Sequence, residues 1–164
     1  TLLTKQNLRK VVVLLICCSS CKMHLINFFS EKKTFEVSQK DKLRLLLKEV
    51  CKQENAQLSF INCVFCSDEY LLQINKKHLK HNFLTDIITF DFSEKKDQIE
   101  GDLYISVDRV KENAKKYGDT FKTETIRVVL HGLLHLIGYK DKSEKEKKRM
   151  RVLENKYVSL YMEL

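Results

Sequence analysis

The stretch TETIRVVLHGLLHLIGYKD, Thr123 to Asp141, constrains the fold more than any other part of the chain. Ile126, Val129, Leu130, Leu133, Leu134 and Ile137 recur at the spacing of one helical face, so a helix over Thr123 to Ile137 must bury that stripe against another layer. Gly138 follows the last apolar residue and suits the left-handed conformation that stops a helix. His131 and His135, one turn apart, project together from the edge of the stripe. Two imidazoles at i and i+4 can chelate one ion, because both rings are neutral ligands near neutral pH. Beyond Gly138 the chain can turn back, and Asp141 arrives six residues after His135.

The pattern is H-x-x-x-H-x-x-G-x-x-D, in which a third ligand from beyond the helix meets a two-histidine site. Three protein ligands leave one position open for water, the catalytic arrangement rather than a closed structural one. A bare H-x-x-x-H arises often by chance; the glycine stop and the added carboxylate are what make this one informative. Zinc peptidases of the H-E-x-x-H type carry a glutamate general base after the first histidine. Here that residue is Gly132, which cannot move a proton, so a peptidase is the weaker expectation. His24, His78 and His81 lack such partners and read as surface or structural residues.

The rest of the chain alternates strand and helix signals. His24 to Phe29 and Leu58 to Cys66 read as strands, as does TDIITFDF from Thr85 to Phe92, and a turn at Asp97 to Glu100 leads into the strand GDLYISV. Gln39 to Glu54 and Asp68 to Leu79 read as helices, the second capped by Ser67. A further helix is capped by Asp108 and ended by Gly118. Ser143 and Glu146 have capping-box spacing and open a last helix whose Met150, Leu153, Tyr157 and Leu160 can face a core. Four strands among five helices predict a single α+β domain, a small sheet covered by helices, with no repeat and no linker.

Residues 1–22 stand apart. A basic segment from Lys5 to Lys10 precedes a short apolar run ending in CCSSC, resembling a secretory leader but too short to span a bilayer. The chain does not begin with methionine. We expect residues 1–22 to be a non-native or unstructured leader, and the functional domain to be 23–164. Cys63 and Cys66 form a CxxC within a strand, where residues three apart point to opposite faces, so buried thiols are expected rather than a chelate or redox pair. A formal charge of +8 and a pI near 9.1 favour a polyanionic partner, though a lysine-rich composition alone does not decide it.

HGLLHLIGYKD resembles the HGxLHLxGYDH signature of the YbeY family. The segment Asn75 to Phe90 is similar to the family's N-x-x-Y-R-G-K-D-x-P-T-D-V-L-S-F stretch, and IEGDLYIS to its GD-plus-strand element. The resemblance implies a zincin-like α+β fold holding one zinc ion on His131, His135 and Asp141. It implies endonucleolytic processing of ribosomal RNA, notably the 3′ end of the small-subunit RNA, with ribosome quality control, in the cytoplasm and away from membranes. The expected partners are ribosomal RNA and the small ribosomal subunit. Asp141 stands where the family has a third histidine, Lys140 where it has aspartate, and Leu79 where it has an arginine suspected of contacting substrate. Phosphate contacts then fall to other cations, among them Lys76, Lys77 and Lys80.

In this reading the ion polarises a phosphodiester oxygen or acidifies the attacking water. The cations Lys140, Lys142, Lys145, Lys147, Lys148, Arg149 and Arg151 hold the RNA unless they form a merely solvated helix face. No general base is assigned; Asp86 and Asp102 are candidates by their motif positions. A hydrolase of another substrate class and a non-catalytic ribosome-binding factor with a structural metal are the competing expectations.

Overall fold

The structure is a computed structural model describing residues 25–80, 82–95 and 97–164; the expected leader 1–22, Met23, His24 and His81 lie outside the described residues. The elements run β1 (Ile26–Ser30), α1 (Lys40–Gln53), β2 (Gln57–Cys66), α2 (Asp68–Ile74), β3 (Ile87–Asp91), β4 (Gln98–Ser106), α3 (Val107–Tyr117), α4 (Phe121–Ile137) and α5 (Glu144–Glu163). The sheet has the order β1-β2-β4-β3; β1, β2 and β4 are parallel, and β3 closes one edge antiparallel to β4. Among the described residues this is the expected α+β arrangement of a mixed four-stranded sheet with five helices.

Alternation along the central strands divides the core. Ile61, Cys63 and Phe65 of β2, with Leu103 and Ile105 of β4, enter the larger cluster, where they meet the apolar faces of α1, α4 and α5. Val64, Cys66 and Tyr104 turn the other way and meet Leu71 of α2 and Ile88 of β3. Cys63 and Cys66 are therefore free, buried and on opposite faces, as strand spacing requires. Each fully buried leucine of α1 and α4 is worth about 1.5–3 kcal/mol, so packing rather than helix propensity holds these helices on the sheet.

The polar side of the sheet is paired rather than empty. Asn27 Nδ2 donates to Asn62 Oδ1 (3.1 Å), and Asn62 Nδ2 donates to Asp102 Oδ1 (2.9 Å), forming one rung across β1, β2 and β4. The caps follow local sequence. The Ser67 side chain accepts from Tyr70 N, Gly118 takes φ 68°, and Ser143 and Glu146 form a reciprocal capping box at α5.

Four local expectations change. Ser106, not Asp108, caps α3, its Oγ accepting from Arg109 N (3.1 Å), while Asp108 lies in the first turn and pairs with Lys32. β4 begins at Gln98, inside the predicted turn, because Gln98 and Ile99 pair with Gln57 and Leu58 of β2. Thr120 caps α4, starting it at Phe121 rather than Thr123. The helix expected to run to Leu79 is α-helical to Ile74 and then widens into a π turn over Asn75–Leu79, ended by Lys80 at φ 58°. Among the described residues no helix is long and apolar enough to cross a membrane.

Candidate metal centre

α4 lies unusually close to the sheet. A Cβ at Gly132 would come within 2.5 Å of Ile87 Cδ1 and 2.8 Å of Leu103 Cδ2, so a larger residue there would have to displace the ends of both side chains. That contact fixes the rotation of α4 and turns His131 and His135, both half-buried, out beside the edge strand β3. Gly138, at φ 110°, then stops the helix, its N–H within bonding distance of the Leu134 and His135 carbonyls. The chain turns back immediately and brings Asp141 over the two rings before Ser143 starts α5.

His131 Nε2 and His135 Nε2 lie 3.0 Å apart, and each is 3.7 Å from Asp141 Oδ2. A point about 2.0 Å from all three atoms exists within this triangle, the ordinary zinc–nitrogen and zinc–oxygen distance. The outer nitrogen of each ring is already engaged. His131 Nδ1 bonds to Glu154 Oε1 of α5 (2.8 Å), and His135 Nδ1 bonds to the Tyr139 carbonyl (2.9 Å). With both Nδ1 atoms so held, both rings keep their Nε2 lone pairs for a common ion, the second layer of contacts that metal-binding histidines use. Burial works against a charge on His131, but the Glu154 hydrogen bond and the charges of Glu154, Asp86 and Asp141 outweigh it and hold its pKa above the ordinary value. The donor set of two imidazoles and one carboxylate suits zinc and leaves room for solvent.

Glu154 escapes the motif. It is 6% exposed and lies among the apolar positions Met150, Tyr157 and Tyr161 of α5. An acid on a core-facing stripe was the signal that could have exposed it. Its other oxygen meets Arg151 (3.2 Å) and, more distantly, Arg127 (3.8 Å). Glu54, at the end of α1, is a second such residue. It accepts hydrogen bonds from the hydroxyls of Tyr139 (2.6 Å) and Tyr157, and so anchors the turn whose carbonyl holds His135.

Of the two aspartates considered as proton acceptors, Asp86 reaches the site. It precedes β3, accepts from Asn113 Nδ2 (3.2 Å), and lines both cavities that flank the ligands. Asp102 does not. Its side chain pairs with Asn62 on the sheet face opposite α4, since Gly101 and Leu103 on either side of it face the helix. His78 also stays apart, its ring edge-on to Phe90 at 5.8 Å. The seven cations from Lys140 to Arg151 are all exposed, and of these Lys147 and Arg151 line the cavity beside His131, while Arg149 stacks over the Tyr139 ring (4.8 Å). Lys76, Lys77 and Lys80 are exposed at the π turn.

Known proteins resemble this chain in sequence and fold. The family model described as Endoribonuclease YbeY matches residues 25–162. A protein named Endoribonuclease YbeY from Cytophaga hutchinsonii is 50% identical over 139 residues, covering 85% of this chain and 97% of that relative. The protein of the same name from Flavobacterium psychrophilum is 41% identical over 133 residues, covering 81% and 94% respectively. The solution structure of TM1509 from Thermotoga maritima is similar with a TM-score of 0.60 at 29% identity, covering 83% of this chain and 88% of that one. With a family match over nearly all the described residues and relatives aligned along almost their full length, this chain belongs to the YbeY family of endoribonucleases.

Proposed function

We propose that this protein is a zinc-dependent, single-strand-specific endoribonuclease that processes ribosomal RNA in the cytoplasm, maturing the 3′ end of the small-subunit RNA and serving ribosome quality control. Its partner is the small ribosomal subunit, and its functional unit is residues 23–164. The observation that carries this reading is the convergence of His131, His135 and Asp141 with both outer ring nitrogens already held. Zinc bound by these three side chains supplies Lewis acidity toward a phosphodiester.

The chain's own groups do the rest. Glu154 and the Tyr139 carbonyl orient the two rings, and Glu54 anchors the turn that carries Tyr139. Asp86 accepts a proton from the attacking water as its oxygen bonds to phosphorus and the bond to the leaving ribose oxygen breaks, and Lys147 and Arg151 bind phosphates on one side of the site. A peptidase mechanism is disfavoured by the packing itself. The position of its usual glutamate is Gly132, where even a Cβ clashes with β3 and β4.

The test is cleavage of a small-subunit RNA precursor by the zinc-loaded protein beside its His131→Ala variant, with metal content measured for both. Stoichiometric zinc and a defined cut are expected only for the unsubstituted protein. Equal zinc content in the two proteins rejects the ligand set, and metal-independent cleavage rejects the enzyme mechanism.

A further inference from the structure

Two cavities flank the ligands, and they differ in chemistry. One, of about 250 Å³, contains Arg127, Lys147 and Arg151. The other, of about 350 Å³, runs along β3 and, among the described residues, has no lysine or arginine in its wall. Its wall holds the apolar Ile87, Ile88 and Phe83, the hydroxyl-bearing Thr85 and Thr89 and the amide of Asn75, with the acidic Asp86 and Asp141 beside His131 and His135 where it meets the candidate ligands. A phosphate finds no counter-charge there. A flat, uncharged group with hydrogen-bonding edges does fit, and the volume lies in the usual range of small-ligand sites, about 300–1,000 Å³.

Two residues sharpen the identity of the occupant. Phe83 is 59% exposed at the mouth, an aromatic face of the kind on which unpaired bases stack. Asn75 is 2% exposed and stands at the start of the π turn, a distortion frequent at functional sites. Its Nδ2 donates to the Phe83 carbonyl (2.9 Å), which fixes the amide orientation. Among the described residues, its Oδ1 is the buried side-chain atom left with no hydrogen-bond partner. A buried acceptor without a donor is unfavourable, and such atoms call for an explanation such as a ligand group.

We infer that this cavity is a nucleobase subsite, in which a base next to the scissile phosphate stacks on Phe83 and directs an N–H edge toward Asn75. The inference rests on the endoribonuclease reading above and adds to it the substrate feature that this side of the site recognises. The cations Lys76, Lys77 and Lys80, on the turn that Asn75 begins, serve the phosphates leading into the cavity. An extruded base can enter only from an unpaired strand, so the subsite also gives a physical reason for single-strand specificity.

The test uses zinc-loaded full-length protein and short single-stranded RNAs carrying 2-aminopurine, whose fluorescence falls on stacking. Phe83→Ala, an exposed substitution, is expected to abolish the quench on binding and to raise KM at least about fivefold with kcat little changed. Phe83→Tyr should restore both. Replacing adenine by purine, which removes the exocyclic amino donor, should weaken binding to the unsubstituted protein. Cleavage and quench that are unaltered in Phe83→Ala overturn the subsite and leave the endoribonuclease reading intact. The quench needs no turnover. A protein that quenches without cutting RNA therefore supports the subsite while refuting the enzyme, and one that does neither refutes both.

Discussion

An imidazole is aimed at a metal only as well as its other nitrogen is held, and for His131 that holder is Glu154. Glu154→Ala should weaken zinc binding by about 10–100-fold in a chelator competition, with Glu154→Gln losing less because an amide oxygen can still accept from Nδ1. Equal affinity in all three proteins would make Glu154 a packing residue only. The convergence of His131, His135 and Asp141 was legible in sequence because a helical turn and a glycine stop are local rules. Glu154 was not, because its partner is reached through the packing of α5 on α4 and no local spacing encodes that contact. Cys63 and Cys66 are the opposite case, correctly read from strand alternation alone. Burial pushes the Cys51 thiol up to about 11 and Cys66 up to about 12, and it raises Cys63 further in the same direction. At neutral pH the reactive thiolate is then scarcer than for an ordinary cysteine. Peptide mapping after alkylation should find these three unmodified in the native protein and modified after unfolding; rapid native labelling would contradict their placement.

α4 does two jobs, carrying a core stripe and presenting the two proposed histidine ligands, and Gly132 reconciles them by letting the helix sink between Ile87 and Leu103. Gly132→Ala should therefore lower stability by about 1–3 kcal/mol through overpacking, although alanine is the better helix former. A thermal melt that rises instead would mean that the close approach is relaxed at little cost. Helices and strands were readable wherever periodicity and caps agreed, as at α4 with Gly138 and α5 with its capping box. The π turn was not readable, because NKKHL offers no pattern that separates it from an α-helical turn. What accompanies it is a contact outside the segment, the Asn75 side chain on the Phe83 carbonyl. Ser106 against Asp108 is a similar case. Both residue types cap helices, and Asp108 is instead engaged by Lys32 from the far end of β1.

The order of the sheet is a property of the whole molecule, and it is what makes the site. β3 must pair at the outer edge of β4 for Asp86 and the β3 cavity to meet α4, and no local signal in the sequence fixes that pairing. Net charge is also global, and here it misleads if taken whole. Lys5, Arg9, Lys10 and Lys22 supply half of the +8 excess and all fall within residues 1–22. The electrostatic argument must therefore rest on Lys140 to Arg151, where seven cations stand against three acids directly after the metal-site turn. Lys147 is the informative member. It lines the cavity beside His131, and its ion pair with Glu144 (2.8 Å) is an exposed one that contributes little and that a phosphate can replace. If this face holds RNA by its backbone, log affinity falls steeply and linearly with log salt concentration. Lys147→Gln should then weaken binding about equally across RNA sequences and reduce the magnitude of that slope by about one. Phe83→Ala should weaken binding with the slope unchanged, because stacking releases no counterions. A slope that is shallow in the unsubstituted protein, or unmoved by Lys147→Gln, would show that these cations only solvate α5 and that the strand approaches the ion from elsewhere.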